Sequence, residues 1–166
     1  VDGPSESVQA DIRIEFQPSD FTQVNPEINR NMVNRAIDYL QLEAHDEVLD
    51  LFSGLGNFSL AMARRCATVT AVEGSLAMVQ KARHNAGLND IDNCEFIYAD
   101  LYDDEIATAP WLKRDYDKVL LDPPRSGAVA MIPHVARMKA ETVVYVSCHP
   151  ATLARDAALL VNEYGY

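Results

Sequence analysis

Cys148 is the residue placed best to do covalent chemistry. Val146-Ser147-Cys148-His149-Pro150 closes an apolar stretch and precedes a helical pattern. A helix N-terminus favours the thiolate, and the thiolate is the nucleophilic form. Cys66 and Cys94 read instead as small buried hydrophobes, while a structural Cys148 is the bland alternative. The cysteines form no Cys-x-x-Cys pair. His45, His84, His134 and His149 show no ligand spacing either, so no metal, zinc or iron–sulfur site is expected within this chain.

Asp50-Leu51-Phe52-Ser53-Gly54-Leu55-Gly56-Asn57 runs from an apolar strand into a glycine loop. Gly54 and Gly56 permit a tight turn and close approach of a ligand, although a plain strand–helix turn has the same glycines. The third glycine of a dinucleotide fingerprint is absent, as is any Gly-x-x-x-x-Gly-Lys loop, so a ligand without pyrophosphate is favoured. Glu73 closes the next strand pattern, where a carboxylate can accept two hydrogen bonds from ribose hydroxyls. Asp100 follows the third, within reach of an adenine edge. Each is alternatively a helix cap. Together they suit an adenosine without phosphates, which on a sheet of this kind means S-adenosylmethionine.

Asp122-Pro123-Pro124-Arg125 stands where a base would meet that methyl donor. The prolines fix the backbone and leave carbonyls free to accept. Amino-group methyltransferases have an Asn/Asp-Pro-Pro-aromatic motif there, the ring stacking on the base. Arg125 replaces the ring and weakens that reading. A thiolate beside a methyl donor solves another problem. Uracil C5 is a poor nucleophile until a cysteine adds at C6, after which the resulting enolate takes a methyl group at C5.

These residues need a scaffold that brings strand ends to one edge. Short apolar strands at 47–52, 68–73, 94–99, 118–121 and 142–147 alternate with helical patterns at 28–42, around Leu60 and Ala63, at 76–86 and at 151–164. On the first helix Met32, Val33, Ala36, Ile37 and Leu40 share a face. The pattern predicts an α/β, Rossmann-like parallel sheet with helices on both faces, whose ligands bind at the carboxyl ends of the strands. Ile12, Ile14 and Phe16 alternate as one further strand, the first ten residues read as loose, and 17–26 as a polar connection.

The 166 residues fit one domain, with 48% hydrophobic and 23% charged content, as in ordinary globular proteins. No apolar run approaches the roughly 20 residues of a membrane span, and the N-terminus does not read as a signal peptide, so a cytoplasmic protein is expected. The net charge of −11 is unfavourable for gripping phosphates, which implies local contacts or basic parts elsewhere.

The chain resembles the RNA 5-methyluridine methyltransferases, most closely the branch acting on 23S ribosomal RNA. The resemblance rests on Phe16-Gln17-Pro18-Ser19-Asp20-Phe21-Thr22-Gln23-Val24-Asn25-Pro26, on residues 50–60 and 121–127, and on Val144-Tyr145-Val146-Ser147-Cys148-His149-Pro150-Ala151-Thr152-Leu153-Ala154-Arg155-Asp156. It implies a class I S-adenosylmethionine-dependent methyltransferase. Gln23, Phe52, Asn57, Glu73, Asp100 and Asp122 would contact the cofactor and Cys148 would be the nucleophile. Residues 1–26 would then be an N-terminal strand and cofactor-contacting segment, and 27–166 the methyltransferase core. Where the family has Asn after the cysteine, this chain has His149, which either tunes the thiol or occupies the helix start.

The family also carries a C-terminal catalytic glutamate, an upstream OB-type RNA-binding domain and, in many members, cysteines for an iron–sulfur cluster. The chain is therefore expected to be a truncated catalytic core lacking the C-terminal strands. Its fifth strand would be left as an exposed edge prone to self-association. Three other readings stand beside this one: an amino-directed nucleic-acid or protein methyltransferase, a fragment that binds S-adenosylmethionine without turnover, and, more remotely, a nicotinamide-dependent dehydrogenase.

Overall fold

The computed structural model describes residues 5–9, 12–16 and 25–166, so Gln23 lies outside the described residues. The elements are β1 (Ser5–Gln9), β2 (Ile12–Phe16), α1 (Pro26–Leu40), β3 (Glu47–Leu51), α2 (Ser59–Ala63), β4 (Thr68–Glu73), α3 (Leu76–Leu88), β5 (Cys94–Tyr98), two 3-10 turns (Asp104–Thr108 and Pro110–Lys113), β6 (Lys118–Leu121), α4 (Ile132–Met138), β7 (Thr142–Tyr145) and α5 (Pro150–Asn162). Among the described residues no helix is long and apolar enough to cross a membrane.

Five strands pair in parallel in the order β5-β4-β3-β6-β7. Strand order reverses between β3 and β6, and open sheets of this type bind ligands in the crevice at such a point. Leu51 lies level with Val72 and Leu121, Val72 with Ile97, and Leu121 with Tyr145. One residue further along each strand, Phe52, Glu73, Tyr98, Asp122 and Val146 step onto a single edge.

Side-chain alternation divides the strands between two cores. Val48, Val69, Ala71 and Leu120 pack with α1, α2 and α3 on one face. Leu49, Leu51, Val72, Val119 and Leu121 pack with Trp111, Ile132, Val135 and Leu160 on the other. Both faces are apolar, so the strand sequences are nearly continuous in Val and Leu, as in a doubly covered parallel sheet.

The boundaries depart from the sequence reading in informative ways. Residues 5–9 are not loose: β1 pairs antiparallel with β2, Ser5 opposite Phe16 and Gln9 opposite Ile12. β2 is in turn gripped by two amides one turn apart, Asn85 of α3 and Asn89 at its C-cap. Asn85 Oδ1 accepts from the Glu15 N–H at 2.9 Å and Asn89 Oδ1 from the Arg13 N–H at 2.8 Å. α1 starts at Pro26 rather than 28 because Asn25 caps it, accepting from the Glu27 and Ile28 N–H groups, with proline in the first turn. β7 ends at Tyr145, so Ser147 and Cys148 belong to a loop rather than to the strand.

Candidate active site

The glycine loop after β3 is folded back onto β4. Phe52 and Ser53 both donate to the Val72 carbonyl, at 3.0 and 3.2 Å. Phe52 adopts φ 66°, a left-handed conformation costly for a bulky residue and characteristic of functional loops. The two glycines, both at positive φ, do different work. A Cβ on Gly56 would press on Leu60 at 3.2 Å, whereas one on Gly54 would meet nothing within 4 Å. Gly56 serves packing, and Gly54 presents open backbone. Asn57 is turned toward α1, its side-chain amide exchanging two 3.0 Å hydrogen bonds with that of Asn29.

Carboxylates gather around this loop. Glu73 accepts from the Gly54 N–H and the Ser75 N–H, both at 2.9 Å. α3 is capped by Ser75, so Glu73 braces the loop rather than the helix. Asp122 donates its N–H to the Leu51 carbonyl at 3.2 Å, and burial pushes its carboxyl up to about 6. Asp50 lies beneath the loop with no exposure; Oδ2 accepts from the Ser59 hydroxyl at 2.5 Å, and among the described residues Oδ1 has no hydrogen-bond partner. Burial, with added repulsion from Asp122 and Glu73, pushes Asp50 up to about 7. The nearby Ser53 hydroxyl is also buried without a partner among the described residues. Asp100 is exposed and two residues beyond β5, accepting from the Tyr102 N–H at 2.9 Å. The Tyr102 ring packs against Phe52 with centroids 5.9 Å apart.

An acceptor-rich, negatively charged edge with open backbone at Gly54 suits a ligand that offers hydroxyl donors and positive charge. It repels a polyphosphate. A cavity of about 340 Å³ lies among the amino ends of β3, β4 and β5, lined by residues such as Thr70, Glu95 and Arg114, and holds none of these groups.

Cys148 is exposed in the loop between β7 and α5, while Cys66 is buried and Cys94 partly so. Burial pushes the Cys66 thiol up to about 11 and raises that of Cys94 as well, so neither is a ready nucleophile. His149 is the N-cap of α5, Nδ1 accepting from the Thr152 N–H at 3.4 Å. Its place is therefore the helix start. The described site residues thus fall into two groups: Phe52, Gly54, Glu73, Asp100 and Asp122 around the β3–β6 crevice, with Asn57 turned aside, and Cys148 beyond the β7 end.

Three residues outside the sequence-derived set stand out by their contacts. Asp50 was legible as the one charge inside Val48-Leu49-Asp50-Leu51. Tyr102 carried no signal of its own. Asp156, within the matched stretch, is buried despite its charge and contacts a loop distant in sequence.

A family model described as tRNA (Uracil-5-)-methyltransferase matches residues 7–164. The 23S rRNA (uracil(1939)-C(5))-methyltransferase RlmD of Alkalilimnicola ehrlichii is 53% identical over 157 residues, which are 93% of this chain and 35% of that protein. Its counterpart of the same name from Salmonella typhi is 49% identical over 155 residues, 93% of this chain and 36% of that protein. The Pyrococcus abyssi tRNA (uracil-54, C5)-methyltransferase, solved in complex with S-adenosyl-L-homocysteine, superposes with a TM-score of 0.80 at 28% identity, over 94% of this chain and 37% of that one. The chain spans about a third of the length of the curated relatives it matches.

Proposed function

The chain belongs to the tRNA (Uracil-5-)-methyltransferase family, and from that premise we propose that it is the catalytic core of an enzyme methylating uracil C5 in RNA, with 23S ribosomal RNA as substrate and S-adenosylmethionine as methyl donor. The carrying observation is an exposed cysteine at the carboxyl edge of the sheet that also carries the open glycine loop and Asp122.

Gln23, Phe52, Gly54, Asn57, Glu73, Asp100 and Asp122 would hold the cofactor, Asn57 by exchanging its Asn29 partner for the ligand. Glu73 already accepts two backbone N–H groups and keeps lone pairs for ribose hydroxyls. Asp122 and the buried Asp50, both held above the ordinary carboxylate range by burial, would be drawn toward their charged forms by a bound sulfonium and ammonium group. Bound S-adenosylmethionine supplies the methyl group. Cys148 as thiolate attacks C6 of the uracil, the C5–C6 π electrons pass to the C4 carbonyl oxygen, and C5 becomes the carbon nucleophile. After C5 is methylated a base removes its proton, the C6–S bond breaks and the thiolate is released.

Nucleoside analysis of RNA treated with the full-length protein and isotopically labelled S-adenosylmethionine distinguishes this chemistry from amino-directed methylation. The expected product is 5-methyluridine; label on an exocyclic amine of adenosine, guanosine or cytidine would refute it. Glu73→Gln presents an amide N–H₂ to one of two backbone N–H groups. S-adenosylhomocysteine affinity should fall by about 1.5–3 kcal/mol, roughly 10- to 150-fold, as measured by calorimetry.

A further inference from the structure

Asp156 joins three elements through one buried carboxylate. Oδ2 accepts from the Ala128 N–H at 2.7 Å and from the Tyr145 hydroxyl at 2.6 Å. Oδ1 pairs with Arg155, at 2.8 Å from Nε and 2.7 Å from Nη2. Ala128 lies in the loop between β6 and α4, which opens at Asp122. Tyr145 is the last residue of β7, three positions before Cys148, and Asp156 itself rides on α5, which begins just after Cys148.

The same helix face fastens the rest of that loop. Thr152 Oγ1 donates to the Arg125 carbonyl at 3.2 Å, and Arg155 Nη2 to the Ser126 carbonyl at 3.0 Å. Gly127, at φ +83°, lies so close to the helix that a Cβ there would stand 2.5 Å from Arg155 Nη2 and 2.6 Å from Asp156 Oδ2. From the other side the Tyr102 hydroxyl donates to the Gly127 carbonyl at 2.8 Å. A buried charge satisfied on this many sides is a poor way to gain stability compared with an apolar residue, but it specifies one arrangement.

We propose that Asp156 is a positioning residue for the methyl transfer: it holds the segment 125–128 and the Cys148 loop at the separation that thiolate attack requires, touching neither RNA nor cofactor. The inference rests on Cys148 being the nucleophile. A displacement of about an ångström in such a pair costs on the order of 100-fold in rate.

The test uses the full-length protein with Asp156→Asn and Tyr145→Phe, and reads three quantities: S-adenosylhomocysteine affinity, melting temperature, and the rate of covalent adduct formation with 5-fluorouracil-containing RNA at saturating cofactor. Asp156→Asn should slow adduct formation on the order of 100-fold with cofactor-analogue affinity unchanged. Tyr145→Phe, which removes one donor and leaves the charge, should slow it about tenfold, and decides the matter alone if Asp156→Asn does not fold. Wild-type adduct rates in the variants would overturn the proposal, as would cofactor-analogue affinity and melting temperature falling in step with the adduct rate. Failure of the wild-type protein to form any adduct would instead remove the nucleophile reading, and the positioning role with it.

Discussion

Replacing Cys148 with alanine should lower methyl transfer by about 10⁴-fold or more, the scale seen when a covalent nucleophile is deleted, and leave folding and cofactor affinity intact. The side chain is exposed, so truncating it opens no cavity in either core, and surface substitutions of that kind stay within about 0.5 kcal/mol. The whole effect therefore falls on chemistry. Within this chain Cys66 and Cys94 are withdrawn from reaction by burial, which leaves Cys148 as the thiol able to activate uracil C5. Cys148→Ser should fail similarly, since a hydroxyl at neutral pH supplies almost no anion. Single-turnover methyl transfer, measured beside S-adenosylhomocysteine binding, separates the two readings. Loss of transfer with retained binding assigns Cys148 to the reaction, whereas retained transfer makes it structural and redirects the chemistry to an amino group.

The second large effect is on stability. Asp50 has its carboxyl raised to about 7 from an ordinary value of 3.8, chiefly by burial. The folded state thus takes up a proton well before the unfolded state does. At pH 8 the buried charge costs stability; as pH falls through about 7 toward 3.8 that cost is removed, at about 1.4 kcal/mol per pH unit. Asp50→Asn is neutral throughout and lacks this slope. Its stability relative to wild type should therefore be highest at pH 8 and should decline by about 3 kcal/mol between pH 8 and pH 5. Urea unfolding of both proteins at the two pH values measures the difference, and parallel pH dependence would contradict the assignment. An aspartate kept under a glycine loop at such a cost, with one oxygen unpartnered among the described residues, is the pattern expected where stability is traded for function.

The sheet was readable because its strands are short runs of Val, Leu and Ile bounded by turn residues. The reversal of strand order then brings Phe52, Glu73 and Asp122 to one edge, and Cys148 follows the next strand along. Less was visible where backbone or distant contacts decide. Ser5-Glu6-Ser7-Val8-Gln9 has no apolar face, and its strand exists through ladder bonds to β2. α4 is only seven residues long with Pro133 in its first turn, too short to leave a periodic signature. Asn85 and Asn89 show no local pattern that marks them out, yet they serve as partners for a strand's backbone. The role of Asp156 depends on Ala128, 28 positions away, and no local pattern announces it. Asp100 is expected directly after a strand at 94–99; the strand stops one residue earlier, at Tyr98, and the Asp100 carboxylate accepts from the Tyr102 N–H.

The most direct measurement is peptide mapping of the wild-type full-length protein after incubation with S-adenosylmethionine and a short RNA carrying 5-fluorouridine at the target position. Fluorine at C5 blocks the final proton removal, so the complex stalls after methyl transfer, whichever group acts as base. Mass spectrometry should find the methylated fluorouracil nucleotide bonded to the peptide containing Cys148. Attachment to a different residue, or methylated RNA containing ordinary uridine with no adduct from its fluorinated counterpart, would contradict Cys148 as the nucleophile.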